Sequence, residues 1–253
     1  MSIYSVGRIM KPYIDIHSHI LPGVDDGSKD IETSMQMLRM AAKDGIAEMI
    51  LTPHNKPGHH SKSSDWTAKT EELRERLAQE NIAIKLYIGN ELYYRSGLTA
   101  EIEDGQAYTL AGSRYVLIEF NPMDDYDYIR NGINAVLMDG YYPVLAHAER
   151  YQNVCTRKGA VTELIEMGCY IQVNAGSIMG KFGFGTKQFT RKLLKQRQVH
   201  FVATDAHDTA KRAPYLSDCA EYVSRKYGRD YSEELFHDNP ECILQDKEIA
   251  VSF

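Results

Sequence analysis

Apolar runs and polar stretches alternate along this chain with a regular beat. Tyr13-Ile-Asp-Ile-His-Ser-His19 reads as a strand: alternate side chains share a face, so Asp15, His17 and His19 point one way while Ile14 and Ile16 pack the other. LPGVDDGS follows as a loop by its Pro, Gly and Asp content. Ile31, Met35, Leu38 and Ala42 then fall on one helical face, and Gly45 sits where a helix commonly stops. IAEMILTPH returns as a strand, and the polar NKPGHHSKSSD predicts a loop. Ser64-Asp65 can cap a helix carrying Trp66, Leu73 and Leu77, which leads to the strand IAIKLYIGNE. The cycle continues with YVLIEF, a helix bearing Ile129, Ile133, Val136 and Leu137 that ends near Gly140, and YYPVLAH. A helix with Val161, Leu164 and Ile165 ends at Gly168; YIQVNAG, a helix with Phe189, Leu193 and Leu194, and VHFVATDAH complete it. The tail from Tyr215 reads as a helix, a helical turn around Ser232 to Phe236, and an irregular cover.

A strand plus its crossover helix takes about 30 residues, and about seven such units follow one another here. This predicts an α/β fold with a parallel sheet and outer helices. Closing the sheet as a barrel gathers every strand C-terminus at one mouth. His54, Glu91, Glu119, His147, Asp205 and His207 all stand at such ends, joining His17 and His19. An open sheet would spread them along an edge, so a barrel is the better expectation.

With 253 residues and 43% apolar content, one domain spanning 1–253 can bury a substantial core, residues 1–12 forming an N-terminal extension. The net charge of -6 supplies no basic face for nucleic acid. The first dozen residues lack a continuous apolar stretch, and no run approaches the roughly 18 residues of a membrane span, so a cytoplasmic protein without membrane insertion is expected. Cys155, Cys169, Cys219 and Cys242 are scattered without a C-x-x-C pair, which suits a reducing compartment. Cys219 to Arg225 matches the C-x5-R outline of a cysteine phosphatase loop, but no glycine lies between them to bend N–H groups around a phosphate. Leu216, Cys219, Tyr222 and Val223 instead recur at helical spacing, with Cys219 on the inner face.

Five histidines and three carboxylates exceed the four to six ligands of one ion. With bridging carboxylates they suit two or three ions, and mixed imidazole and carboxylate donors favour Mn, Fe or Zn over Ca or Mg. Clustered divalent ions lower the pKa of a bridging water and neutralise phosphoryl oxygens, so hydrolysis of a phosphate ester is the expected chemistry. His59 and His60, in the loop after His54, can supplement the site or touch substrate, although exposed loop histidines are ordinarily solvated.

DIHSHILPGVDDGS, TPH, GNE, IEF, AHAER and TDAH, in that order, resemble the successive motifs of the PHP (polymerase and histidinol phosphatase) superfamily over roughly residues 13 to 245. With its IEF and AHAER variants the series is most similar to the manganese-dependent protein-tyrosine phosphatases, which accompany bacterial tyrosine autokinases in capsule and exopolysaccharide operons. The resemblance implies a distorted (β/α)7 barrel with a trinuclear centre, manganese being the first choice of metal. It implies His17, His19, Glu91 and Asp205 on one ion, Glu91 bridging to a second held by Glu119 and His147, and His54 and His207 on a third. Asp26, rather than Asp25, would complete the third; the Asp pair also fits plain turn chemistry. Arg150 and Arg212 are implied as phosphate-holding residues, a role that a planar guanidinium fits, though a surface ion pair would also explain each. On this basis a metal-bridging hydroxide attacks phosphorus in line, both arginines hold the phosphoryl group and tyrosine departs. The expected partner is a phosphotyrosyl protein such as the tail of a bacterial tyrosine kinase. A small-molecule phosphomonoesterase such as histidinol phosphatase is the alternative; a nuclease fits the acidic balance poorly, and a non-catalytic metal-binding module would not need the full ligand set. Tyr93 and Tyr94, just after Glu91, are placed to stack on an aryl ring, a role no single tyrosine of the 17 is assigned.

Overall fold

Each of the seven apolar runs forms parallel strand, two of them in broken form. The computed structural model describes residues 11–56 and 63–249. The strands are β1 (Tyr13–Asp15), β2 (Ile46–Leu51), β3 (His54–Asn55), β4 (Lys85–Ile88), β5 (Glu91–Tyr93), β6 (Tyr115–Glu119), β7 (Tyr142–Leu145), β8 (Tyr170–Asn174) and β9 (Phe201–Ala203). β1-β2-β4 form one parallel sheet and β3-β5-β6-β7-β8-β9 another. β2 and β3 are two halves of one run, split at Thr52-Pro53, where proline has no N–H to donate to the ladder. β4 and β5 split likewise at Gly89-Asn90, and Asn90 Nδ2 donates to the Pro53 carbonyl at 2.9 Å across the two breaks. The curled sheet meets itself where Ser18 bridges Ala206, with Asp205 N donating to His17 O at 2.9 Å and His19 N to Ala206 O at 2.8 Å. The expected distorted seven-run barrel is therefore the architecture observed.

Two apolar clusters follow from strand alternation. Ile14, Ile16, Ile50, Tyr115, Leu117, Val144, Tyr170, Phe201 and Ala203 form one, joined from below by Leu110, Ile243 and Ile249. The alternate residues, among them Met49, Leu51, Val116, Ile118, Leu145, Ile171, Val173 and Val202, form the other with the helices. The first lines the interior of the curled sheet and the second seals sheet to helices. Toward the strand ends the interior rows turn polar: Tyr115-Leu117 runs on to Glu119, Phe201-Ala203 to Asp205, and Tyr170 to Gln172 and Asn174.

The helices, in chain order, are α1 (Ile31–Asp44), α2 (Ser63–Gln79), α3 (Leu98–Glu103), α4 (Tyr126–Met138), α5 (Gln152–Thr156), α6 (Ala160–Glu166), α7 (Ala175–Met179), α8 (Phe184–Lys195), α9 (Ser217–Tyr227), α10 (Arg229–Glu233) and α11 (Asn239–Leu244). α1 starts where Asp30 accepts the Thr33 N–H at 2.8 Å and stops at Gly45, whose φ of 94° only glycine adopts without strain. The tail departs from expectation, because its cover is helical as far as Leu244: α10 passes through a π turn at Glu234–Asp238 into α11, with Pro240 in the first turn of α11. Cys219 is buried in α9 and burial pushes its thiol up, so the C-x5-R segment is a helix and no phosphate loop.

Candidate metal centre

At the strand ends, ring nitrogens and carboxylate oxygens converge in three overlapping groups: His17, His19 and Asp205; His54, Glu91 and Glu119; and His19, Asp26, His54 and His207. Within each group the donor atoms lie within 4.8 Å of one another. His17 Nδ1 is 3.1 Å from Gln172 Oε1 and His19 Nδ1 is 2.8 Å from Asp25 Oδ2, which turns both Nε2 atoms into the site 3.1 Å apart. Two protonated nitrogens at that separation would repel; two lone pairs on one cation would not.

Glu91 sits between the groups. Its Oε2 lies 3.4 Å from His17 Nε2, 3.3 Å from His19 Nε2 and 2.9 Å from His54 Nδ1, while Oε1 is 2.6 Å from His147 Nε2. His54 faces both ways, Nδ1 toward Glu91 and Glu119 (3.1 Å) and Nε2 toward Asp26 (3.3 Å). His147 reaches Glu91 but stands 3.9 Å from Glu119. Asp26, its side chain 67% exposed, forms the lip, with Oδ1 3.5 Å from His207 Nε2. Asp25 is turned the other way: it accepts from His19, from the Gly27 N–H at 3.0 Å and from the His54 N–H at 3.1 Å. It orients ligands where Asp26 faces the mouth.

The charge balance fits cations. Burial would raise the Glu91 pKa, but His17, His54 and His147 hold it well below the usual carboxylate range. Asp205 is likewise lowered, burial being overcome by His17, Arg150 and Arg212. Hydrogen bonds from His207 and His54 lower Asp26. Burial works against charge on His19, yet Asp25 outweighs it and raises the ring to about 9; His54, against the same burial, is drawn up to about 12 by Glu91, Asp26 and Glu119. The carboxylates that raise these rings would also favour a metal ion, which binds the neutral ring in place of its proton. Glu91 Oε2 and Asp205 Oδ1 are buried and have no partner in hydrogen-bonding geometry among the described residues, as expected of atoms disposed toward an ion. Imidazoles and carboxylates in this mixture suit Mn, Fe or Zn.

Arg150 Nη2 and Arg212 Nη2 lie 2.5 and 2.7 Å from Asp205 Oδ2, with side chains 33% and 24% exposed, so the two guanidiniums flank the mouth rather than pairing on the outer surface. His147 and Asp205 both have left-handed backbones, φ 33° and 52°, a conformation that non-glycine residues adopt at a cost.

The structure thus brings every ligand and arginine candidate of the sequence to one mouth. One expectation is corrected: Asp15 does not share the face of His17 and His19, because β1 ends at Asp15 and Thr204 claims its carboxylate through N (3.0 Å) and Oγ1 (2.5 Å). His59 and His60 lie outside the described residues. Four residues escaped the sequence reading: Lys56, whose Nζ is 2.6 Å from Glu119 Oε1 and 5.9 Å from the Tyr93 ring centre, and the buried Glu149, Gln172 and Asn174. The available signal for the last two was a pair of amides two apart in an otherwise apolar strand.

The sequence model for capsular polysaccharide synthesis, CpsB/CapC, matches residues 13–245. Tyrosine-protein phosphatase CpsB of Streptococcus pneumoniae is 37% identical over 241 residues, covering 92% of this chain and 99% of that one. A chain from the crystal structures of YwqE from Bacillus subtilis and CpsB from Streptococcus pneumoniae, which are metal-dependent tyrosine phosphatases, superposes with a TM-score of 0.87 at 31% identity, covering 94% and 96% of the two chains. Histidinol phosphate phosphatase of Lactococcus lactis shares the fold at a TM-score of 0.52 and 15% identity, covering 85% of this chain and 94% of that one. Matched over nearly its whole length in sequence and in structure, this chain belongs to the capsular polysaccharide synthesis CpsB/CapC family.

Proposed function

We propose that this chain is a metal-dependent protein-tyrosine phosphatase. The observation that carries the reading is the convergence of imidazoles and carboxylates from the strand ends beside two guanidiniums on Asp205. His17, His19, Asp26, His54, Glu91, Glu119, His147, Asp205 and His207 would hold two or three divalent ions, manganese first among them. Bound there, such ions lower the pKa of water and neutralise phosphoryl oxygens.

The remaining chemistry belongs to the chain. Arg150 and Arg212 present planar donors at the mouth, able to grip two phosphoryl oxygens and stabilise charge as the bond to the leaving oxygen lengthens. A phenol leaves with a pKa near 10, so a tyrosyl ester demands little of a general acid. The substrate in this reading is a phosphotyrosyl protein, the tail of a bacterial tyrosine kinase in capsule or exopolysaccharide regulation, met in the cytoplasm.

Hydrolysis of a chromogenic aryl phosphate, before and after chelation and in Cys219→Ser, tests the class of mechanism. Activity lost on chelation, restored by Mn2+ and unaffected by Cys219→Ser is expected. Activity that survives chelation but disappears in Cys219→Ser would overturn the metal mechanism.

A further inference from the structure

Gln172 and Asn174 are buried on β8, two residues apart beneath the candidate metal centre, and they link three of its ligands. The link has a direction, because one of its members can only donate. The His147 backbone N–H points at the Gln172 side chain from 2.7 Å, so the atom receiving it is Oε1. That same oxygen lies 3.1 Å from His17 Nδ1, which must then carry a hydrogen and leave Nε2 to the site. The other end of the amide, Gln172 Nε2, donates to Asn174 Oδ1 at 2.8 Å, which turns Asn174 Nδ2 onto Asp205 Oδ2, also at 2.8 Å. Glu149 Oε1 pins the Asn174 backbone N–H at 2.9 Å. With Arg150 and Arg212 on the same Asp205 oxygen, Oδ1 is left facing His17 and His19 at 3.5 Å each. Gln172 also holds His147 in its left-handed backbone, a conformation that persists only where its surroundings impose it.

We propose that Gln172 and Asn174 are positioning residues that form a one-way amide chain. Starting from the His147 N–H, the chain selects the metal-binding tautomer of His17 and presents Asp205 to the centre by a single oxygen. The proposal rests on the reading of these residues as a metal centre. Buried amides that served packing alone would leave the tautomer of His17 and the affinity for metal untouched.

Ring 15N spectra of His17 in the metal-free protein at pH 8, with Mn2+ affinity measured by competition against a chelator, form the test. In the wild type Nδ1 carries a hydrogen, the one it gives to Gln172 Oε1. Gln172→Leu mixes the tautomers and weakens Mn2+ binding by roughly 10- to 100-fold. Gln172→Glu, which keeps an acceptor for both donors, retains the Nδ1–H tautomer. Asn174→Leu leaves the His17 tautomer as in the wild type yet weakens Mn2+ binding, since only the Asp205 end is cut. A wild-type His17 with no hydrogen on Nδ1 would overturn the proposal, and so would a Gln172→Leu protein with unchanged tautomer and affinity. Should Gln172→Leu fail to fold, the wild-type spectrum and Asn174→Leu still decide. A wild-type chain that binds no Mn2+, Fe2+ or Zn2+ would sink the metal reading, while the tautomer measured with and without the Gln172 amide judges the chain of hydrogen bonds separately.

Discussion

Asp205 gives its two oxygens different neighbours: Oδ2 meets Asn174, Arg150 and Arg212, and Oδ1 meets the imidazoles of His17, His19 and His207. Arg150 therefore touches the centre through a carboxylate without itself being a ligand. Arg150→Ala is expected to leave metal content near that of the wild type and to lower kcat/KM by about two orders of magnitude, the scale of losing a contact that stabilises transition-state charge. Elemental analysis beside steady-state kinetics checks it, and unchanged turnover would remove Arg150 from the mechanism. At this scale the ligand and arginine candidates were legible, since they stand in short motifs at or just beyond strand ends, whereas the charged Lys56 and Glu149 were not. Gln172 and Asn174 were not, because an amide becomes directional only when a fixed donor such as the His147 N–H lies beside it. Asp15 was misplaced for the complementary reason, as strict alternation does not outlast a strand that ends at Asp15.

The loop between β1 and α1 shows how an element positions its residues. A Cβ on Gly27 would fall 2.1 Å from His19 O and 2.5 Å from His19 Cβ, so only glycine lets the Asp25-Asp26 turn lie against the strand end. Gly27→Ala should cost about 1 to 3 kcal/mol as an overpacked contact and lower both metal content and activity. Gly185→Ala, where a Cβ meets nothing within 4 Å, should change neither. Chemical denaturation with metal analysis of the two variants makes the comparison, and equal behaviour would show that the close approach at Gly27 does not matter. The strands and long helices were readable because alternation and helical periodicity run over enough residues to register, as from Ile31 to Ala42. α3, α5 and α7, of five or six residues each, are too short to show a period, and α11 hid behind a π turn.

Over the whole molecule, the curled sheet closes through contacts remote in sequence, Ser18 with Ala206 and Asp15 with Thr204, which no local pattern announces. The need for all strand ends to share ligands pointed to them indirectly. Packing across β8 and β9 also makes stability depend on pH. Burial lowers the His200 pKa from 6.5 to about 4, and its Nδ1 accepts the Ile171 N–H at 2.9 Å, which only the neutral ring can do. The unfolded chain therefore binds a proton first, so this residue's contribution is complete above pH 6.5 and is lost as pH falls toward 4. At about 1.4 kcal/mol per pH unit, the wild type should lose about 2 to 3 kcal/mol more than His200→Asn between pH 7 and pH 4.5. Urea denaturation at the two pH values reads the difference, and equal losses would contradict the assignment.

Substrate choice is the central claim, because the fold is shared with a histidinol phosphate phosphatase and does not itself fix the ester that is cleaved. The most direct measurement is kcat/KM of the Mn-loaded protein on a phosphotyrosyl peptide, beside histidinol phosphate and a nucleoside monophosphate under the same conditions. A clear preference for the phosphotyrosyl peptide is predicted. A preference for either small ester would contradict the protein-tyrosine phosphatase assignment while leaving the metal centre in place.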